Sequence, residues 1–444
     1  MGEAGARERH TTGLATIGVL VAWCLLAVGD SRHEGEFSSF SLICVVLGLA
    51  IVAAVVAAGA DVAVPTPLML ALPATVAVIA AIAHPVGRYM DISADGETAV
   101  KALVVATALV TLASLAFPGA VAQKVALATI AALALTTAVV VIRAAPAPAI
   151  DVWVLLQQSS SGLLHGLDMY RQHWQNSNGL QDVYPYLPAT TVLLAPFKWV
   201  LGDVRYGLTT AALVGMYLTY RLAPKAPAAL AALIVIAPHW AFLIDQSWTE
   251  PLLVAALAGA VLALDRGHPW YAVIALALAL ACKQHIAVLL PLFAVWPSFG
   301  LRRTLAAAAL AAAIVAPWII AGGHALWHDA VTANLDLGVQ TRALNLPSLF
   351  LRHGHLVGFW FLLVALAGAY ALALTRLPRT PSGLALGAAL IMWTLDVANK
   401  QTYFNHYTLP LGLLVVSLAA ARPVHITANT ERGRERQTRT EFIR

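Results

Sequence analysis

Charge is what this chain has least of. Lys, Arg, Asp and Glu make up 11% of its 444 residues, whereas 60% are hydrophobic and the mean hydropathy is +0.78. A soluble domain carries about a quarter of its residues as charges, so a water-soluble enzyme of this length is excluded. Cysteine is scarce too: Cys24, Cys44 and Cys282 all lie in apolar runs, without CxxC spacing. That excludes a disulfide framework and a thiolate metal site, leaving three small core residues. Strands of period-2 alternation are missing, which excludes a membrane β-barrel. No internal repeat, soluble domain or low-complexity linker is visible. The formal charge of +5 is small and largely terminal, so it bears on membrane orientation and not on nucleic acid.

What is present is a succession of apolar runs about 20 residues long, the length needed to cross a hydrocarbon core as a helix. The expected fold is therefore all-α: a polytopic transmembrane protein of about 14 spans. Residues 1–142 read as an amino-terminal block of five helices, at 12–28, 39–59, 66–83, 99–117 and 121–142, punctuated by Pro65, Pro85 and Pro118. The first run follows Arg7 and Arg9 and resembles a secretory signal, but the spans behind it favour an uncleaved helix. Residues 143–187 form a polar loop, 188–421 a second membrane block, and 422–444 a basic tail expected to be disordered and cytoplasmic.

Arginine placement orients the chain. Arg7 and Arg9 favour a cytoplasmic amino terminus, and five crossings then put Asp151 outside. Arg221 with Lys225, Arg266, Arg302 with Arg303, and Arg376 with Arg379 each end an apolar run and prefer the cytoplasm. Satisfying them makes 188–201 a juxtamembrane or re-entrant helix. It makes 206–220, 226–242, 250–264, 304–321, 356–375, 383–398 and 405–421 crossings, with a second outer loop at 322–355. Run 270–297 must then cross twice, with Lys283-Gln284-His285 as its outer turn. Both termini are cytoplasmic on this reading, in a plasma membrane.

Polar residues at membrane depth are expensive, so they tend to be paired or functional. Those assigned to the outer face are the 143–187 loop, the stretch Asp245 to Glu250, Lys283 to His285, the 322–355 loop and Asn399 to Tyr407. They combine a carboxylate, several cations and many aromatics. Aromatic faces suit a sugar ring, and Lys, Arg and His suit a phosphate.

The order of residues here resembles a known family. Asp151 follows a membrane helix and opens an amphipathic one; then come G-L-D-M-Y (Gly166 to Tyr170) and Y-P-Y-L-P (Tyr184 to Pro188) running into an apolar helix. This looks like the first external loop of GT-C-type glycosyltransferases, which typically reads Asp, a helix, Gly-x-x-x-Tyr and Tyr-Pro-Pro. E-P-L-L-V-A-A-L-A-G-A-V-L-A-L-D-R and A-L-A-L-A-C-K-Q-H-I-A-V-L-L-P-L extend the likeness over roughly residues 150–300. The chain departs from the pattern at Tyr186, where a proline is usual, and in about four extra spans ahead of the family's first helix.

The resemblance implies an inverting transferase that takes a sugar from a polyprenyl-phosphate donor to a lipid or glycan acceptor, with mannose favoured and arabinose next. Asp151 would be the general base. Lys283, His285, Lys400, Arg342 and His406 would hold the donor phosphate. Asp168, Tyr170, Trp174, Tyr184, Tyr186, Gln246 and Glu250 would contact substrate. No cofactor is implied; a divalent cation (Mg or Mn) is compatible but not indicated, and no metal ligand set is assigned. His324 and His328 have i,i+4 spacing but lack a clear third ligand.

Simpler readings stand beside these. Asp151 is a good helix N-cap, and Ser247-x-x-Glu250 is a capping box. Asp168 and Asp182 suit turns, Lys400 and His406 suit the headgroup level, and the aromatics suit an interfacial belt. At the level of function the rivals are a transporter or lipid-linked-sugar flippase, and an assembly subunit without chemistry.

Overall fold

The computed structural model describes residues 3–31, 37–83, 86–90 and 94–421, and these are all-helical, with no strand among them. The basic tail expected at 422–444 lies outside the described residues.

The amino-terminal block is α1 (Glu3–Ser31), α2 (Ser39–Ala57), α3 (Pro67–Ala83), α4 (Ala94–Ser114) and α5 (Ala120–Ala144). The polar loop supplies α6 (Asp151–Leu164) and leads to α7 (Ala189–Leu201) and α8 (Arg205–Leu222). Two short pieces follow, α9 (Ala228–Ala232) and α10 (Trp240–Asp245), then α11 (Glu250–Asp265), α12 (Pro269–Cys282) and α13 (Leu290–Val295). The last third holds α14 (Gly300–Trp327), α15 (Ala333–Asp336), α16 (Leu346–Arg352), α17 (Phe359–Arg376), α18 (Pro381–Ala398) and α19 (Thr408–Ala419).

Local signals set these boundaries. The Ser38 hydroxyl caps α2 by accepting from the Ser41 N–H at 3.0 Å. Thr380 does the same for α18, from the Gly383 N–H at 3.1 Å, with Pro381 opening the helix. The α11–α12 corner pairs Gly267, at φ +74°, with Pro269 at the first helical position.

Seven helical stretches among the described residues are long and apolar enough to cross a membrane: within α1, α2, α4 and α5, from α14 into α15, and in α17 and α18. The periphery is apolar, with Leu68, Val200, Ile320 and Trp360 each more than three-quarters exposed. A soluble protein would not leave such a surface in water. The chain is a polytopic helical membrane protein.

Residues 226–242, expected as one span, are instead broken. Between α9 and α10 the backbone is irregular, yet almost every side chain from Ala228 to Asp245 is buried. Pro238 removes an N–H from any helix there. Non-helical backbone at membrane depth survives only when protein surrounds it, and here α4, α5 and α8 do so. The Gln123 side chain of α5 accepts from the Ala228 N–H at 2.5 Å, and the Trp240 indole donates to the Ala134 carbonyl at 3.2 Å. Run 270–297 breaks at Lys283, which is extended (φ −142°, ψ 127°) between α12 and a 3-10 turn at Gln284–Leu289.

The centre of the bundle is α18 with α19, whose residues Ser382–Ala398 and Thr408–Ala419 are all buried. Helices α1, α2, α11 and α17 surround them. Close approach depends on small residues: a side chain at Gly48 of α2 would put its Cβ 2.6 Å from the Trp393 ring of α18.

Interhelical turns sort to two ends. At one, the Arg266 guanidinium donates to the Arg221 carbonyl at 2.8 Å, and Arg303 and Arg379 cover the Trp270 and Trp296 rings. The other end surrounds a polar cavity.

Candidate functional site

The cavity has a volume of about 1140 Å³ and is lined by segments between Arg88 and His406 that are far apart in the chain. Arg88 and Tyr89 come from the turn after α3, Asp151 from the start of α6, Gln246 and Trp248 from the turn before α11, and Lys283 and His285 from the α12 break. Arg342 and Lys400 come from the segments after α15 and α18, and Phe359 and Leu362 of α17 form an apolar side.

Asp151 is the first residue of α6 and not its N-cap, which is Ile150. Its Oδ1 accepts from the Val152 N–H at 2.8 Å and its Oδ2 from the Leu180 N–H at 3.4 Å. Gly179 lies so close that an added Cβ would sit 2.3 Å from Oδ2. Loop 178–180 thus presses bare backbone against the carboxylate and turns it along the wall. Among the described residues only backbone donors bond it, so acceptor capacity remains for a ligand.

Lys283 also reaches the wall, but it is not a spare cation. Its Nζ lies 2.5 Å from Glu250 Oε1, which also accepts from Asn405 Nδ2 at 3.0 Å. Lys283 is 6% exposed and Glu250 fully buried. The anionic partner that the depth of Lys283 requires is therefore Glu250. Lys283, expected to hold the donor phosphate, lines the cavity while paired with Glu250, and Glu250, expected to contact substrate, is not among the lining residues. The capping box fails as well. Thr249 is the N-cap of α11, without a side-chain bond, and Ser247 has φ +60°.

Three aromatics assigned to substrate form the core of the loop instead. The Tyr170 hydroxyl donates to the Tyr186 carbonyl at 2.8 Å, the Trp174 indole donates to the Val183 carbonyl at 3.1 Å, and the Tyr184 hydroxyl bonds the Thr191 hydroxyl. Tyr184 packs on Tyr170, Trp174 and Tyr186 with ring centroids 5.6, 5.9 and 5.6 Å apart. With rings packed edge to face or tilted and polar tips bonded, Tyr170, Trp174 and Tyr184 do not line the cavity. Tyr186 alone of the four lines the cavity, its ring 5.4 Å from Lys283 Nζ. Burial holds its phenol well above the usual range, so it meets a ligand as a neutral hydroxyl.

Asp168 is likewise local. It caps the Met169–Arg171 turn through the Tyr170 N–H at 3.1 Å and lies 3.7 Å from Arg171. Asp182 pairs with His173 at the surface, at 2.6 Å. His328 bonds Asp329, whose other oxygen accepts from the Tyr184 N–H at 2.8 Å, tying the segment after α14 to the loop. The remaining assigned residues stay on the wall: Gln246, His285, Arg342, Lys400 and His406. Lys400 Nζ donates to the Leu335 carbonyl.

Sequence reasoning missed Arg88 and Tyr89. Their backbone N–H groups both donate to the buried carboxylate of Asp245, at 2.7 and 3.1 Å. The available signal was a cation immediately after a span, in a turn assigned to the face where cations are least expected.

No family model, curated protein or solved structure matches this chain. Fold and site define the class: a polytopic helical membrane protein with an ionisable cavity at one end of its bundle.

Proposed function

We propose that the cavity is the active site of an inverting, GT-C-like glycosyltransferase. It moves a sugar, mannose by preference and arabinose as the rival, from a polyprenyl-phosphate donor to an extracytoplasmic lipid or glycan acceptor. The observation that carries this is the meeting of Asp151 with Arg88, Arg342 and Lys400 around one volume, beside the thinly packed helix α17. A lipid-borne substrate needs that combination: apolar surface for its tail, positive charge for its phosphate and a base for the acceptor.

In this reaction Asp151 accepts the proton of the acceptor hydroxyl as its oxygen attacks the anomeric carbon. The bond from that carbon to the phosphate oxygen breaks, and polyprenyl phosphate leaves with the electron pair. Tyr186, Trp248 and Tyr403 are among the aromatic side chains on the wall that face the sugar. Arg88, Arg342 and Lys400 are the cations on the wall placed toward the donor phosphate.

The broken α9–α10 and α12–α13 stretches favour a second reading, a carrier of lipid-linked sugar. Purified protein in liposomes, given defined mannosyl and arabinosyl polyprenyl phosphates, decides between them by product analysis. Covalent transfer that falls about 100-fold or more in Asp151→Asn supports the enzyme. Wild-type rates in that variant remove Asp151 as base, and movement of intact donor across the bilayer identifies a carrier.

A further inference from the structure

Behind the cavity wall lies a set of ionisable side chains that the transfer chemistry above does not use. His406, on the wall, has its Nδ1 3.4 Å from Asp396 Oδ1, and its ring lies tilted against His285 with centroids 5.5 Å apart. Asp396 is 1% exposed, and its second oxygen has no hydrogen-bond partner among the described residues. Glu250 and Lys283 are near enough for their charges to act on Asp396, as Glu250 and Asp396 do on Asp30. Asp30 in turn faces His239 at 3.2 Å.

Charge balance constrains this group. Three buried carboxylates, Asp30, Glu250 and Asp396, face one ammonium and two imidazoles. Lys283 is committed to Glu250 at 2.5 Å. Asp396 is then left with an orphaned oxygen in a site where an unpaired charge costs several kcal/mol. With Lys283 balancing Glu250, the arrangement is neutral only when the Asp30–His239 and Asp396–His406 pairs each hold one proton. The approach of Asp396 Oδ1 to Nδ1 at 3.4 Å favours the tautomer protonated there, leaving Nε2 of His406 for the cavity.

We propose that the Asp396–His406 pair is a proton-donating site on the cavity wall, with His406 as the group that delivers the proton and Asp396 as its positioning residue. On the transferase reading, which this inference deepens, the acceptor of that proton is the leaving phosphate. As the anomeric carbon–oxygen bond breaks, the Nε2–H bond breaks and an O–H bond forms on the phosphate oxygen, while Asp151 holds the proton taken from the acceptor. Both groups reset by exchange with water. The second ionisation of a phosphate monoester lies near pH 6, in the range where an imidazole can trade a proton with it at little cost.

Two measurements on the full-length protein in lipid nanodiscs test this. The first needs no substrate: acylation of His406 by diethylpyrocarbonate at pH 6.5, followed peptide by peptide by mass spectrometry. The reagent attacks only unprotonated imidazole, so Asp396→Asn should speed labelling of His406 about threefold or more, while Asp396→Glu keeps the slow rate. Equal rates in the wild type and Asp396→Asn overturn the pair. The second is sugar transfer in His406→Ala, on the exposed side of the pair: kcat should fall about 100-fold with little change in KM, and added imidazole should restore part of it. Unchanged kcat, or a loss that imidazole does not relieve, removes His406 as the donor even if the Asp396 variants do not fold. If labelling responds as expected but the wild type transfers no sugar, the pair stands and the transferase reading fails.

Discussion

Helices α17 and α18 follow one another in the chain, have 18 residues each and are similarly apolar. Yet 11% of the first is buried and 89% of the second. Only Ala369 and Ala373 of α17 are buried, whereas α18 is covered from Ser382 to Ala398 and carries Asp396 in its last turn. In a membrane, hydropathy reports that a segment can leave water; it does not report whether lipid or protein replaces the water. What separates the two is their ionisable content. The helix with a carboxylate within its apolar length is the one that protein surrounds, because lipid offers that group no partner.

The strongest test of that distinction is the Glu250–Lys283 pair, which is surrounded in the same way. Removing one partner leaves the other charge buried and alone. Glu250→Gln or Lys283→Met should each cost about 3–5 kcal/mol in unfolding assays in detergent. The double variant should recover much of the loss, since its two neutral groups no longer need each other. If the single variants unfold like wild type, water reaches the pair and the site is not buried.

Packing gives the next effect in size. Trp393 of α18 is fully buried against Gly48 of α2, so Trp393→Ala should open a cavity worth about 3 kcal/mol, read from the same unfolding curves. A shift of under about 0.5 kcal/mol would mean that α18 is not the centre of the bundle.

These cases also show how far the sequence could be read. Long apolar runs made the helices of the amino-terminal block legible in number and order, because a span is a local property; α2, α3 and α5 fall within two residues of the expected bounds, whereas α1 and α4 begin nine and five residues earlier. The irregular stretch 233–239 was not legible, since its burial depends on α4, α5 and α8, which are remote in sequence. Grouping Asp151, Gln246, Lys283 and Lys400 on one face followed from counting arginines at span ends. Side-chain partners did not follow. Nothing local says that Glu250 turns to Lys283 and away from its own helix N-terminus, or that the Tyr184 ring is used up by Tyr170 and Trp174. Aromatic residues in an outer loop look the same whether they face a sugar or each other, and only the fold of the loop separates the two.

The smallest effect belongs to α17, where the contrast with α18 can be sharpened without relying on stability. Trp360 is 77% exposed and Trp393 fully buried. Truncating an indole that already lies in lipid opens no cavity, so Trp360→Ala should change unfolding free energy by no more than about 0.5 kcal/mol. Its environment should differ instead. In bilayers with brominated acyl chains, Trp360→Ala should remove part of the quenchable tryptophan fluorescence, while Trp393→Ala removes only unquenched emission. If the lost Trp393 signal proves quenchable, bromine reaches α18. That helix would then border lipid, and the surroundings attributed to Asp396 would have to be redrawn.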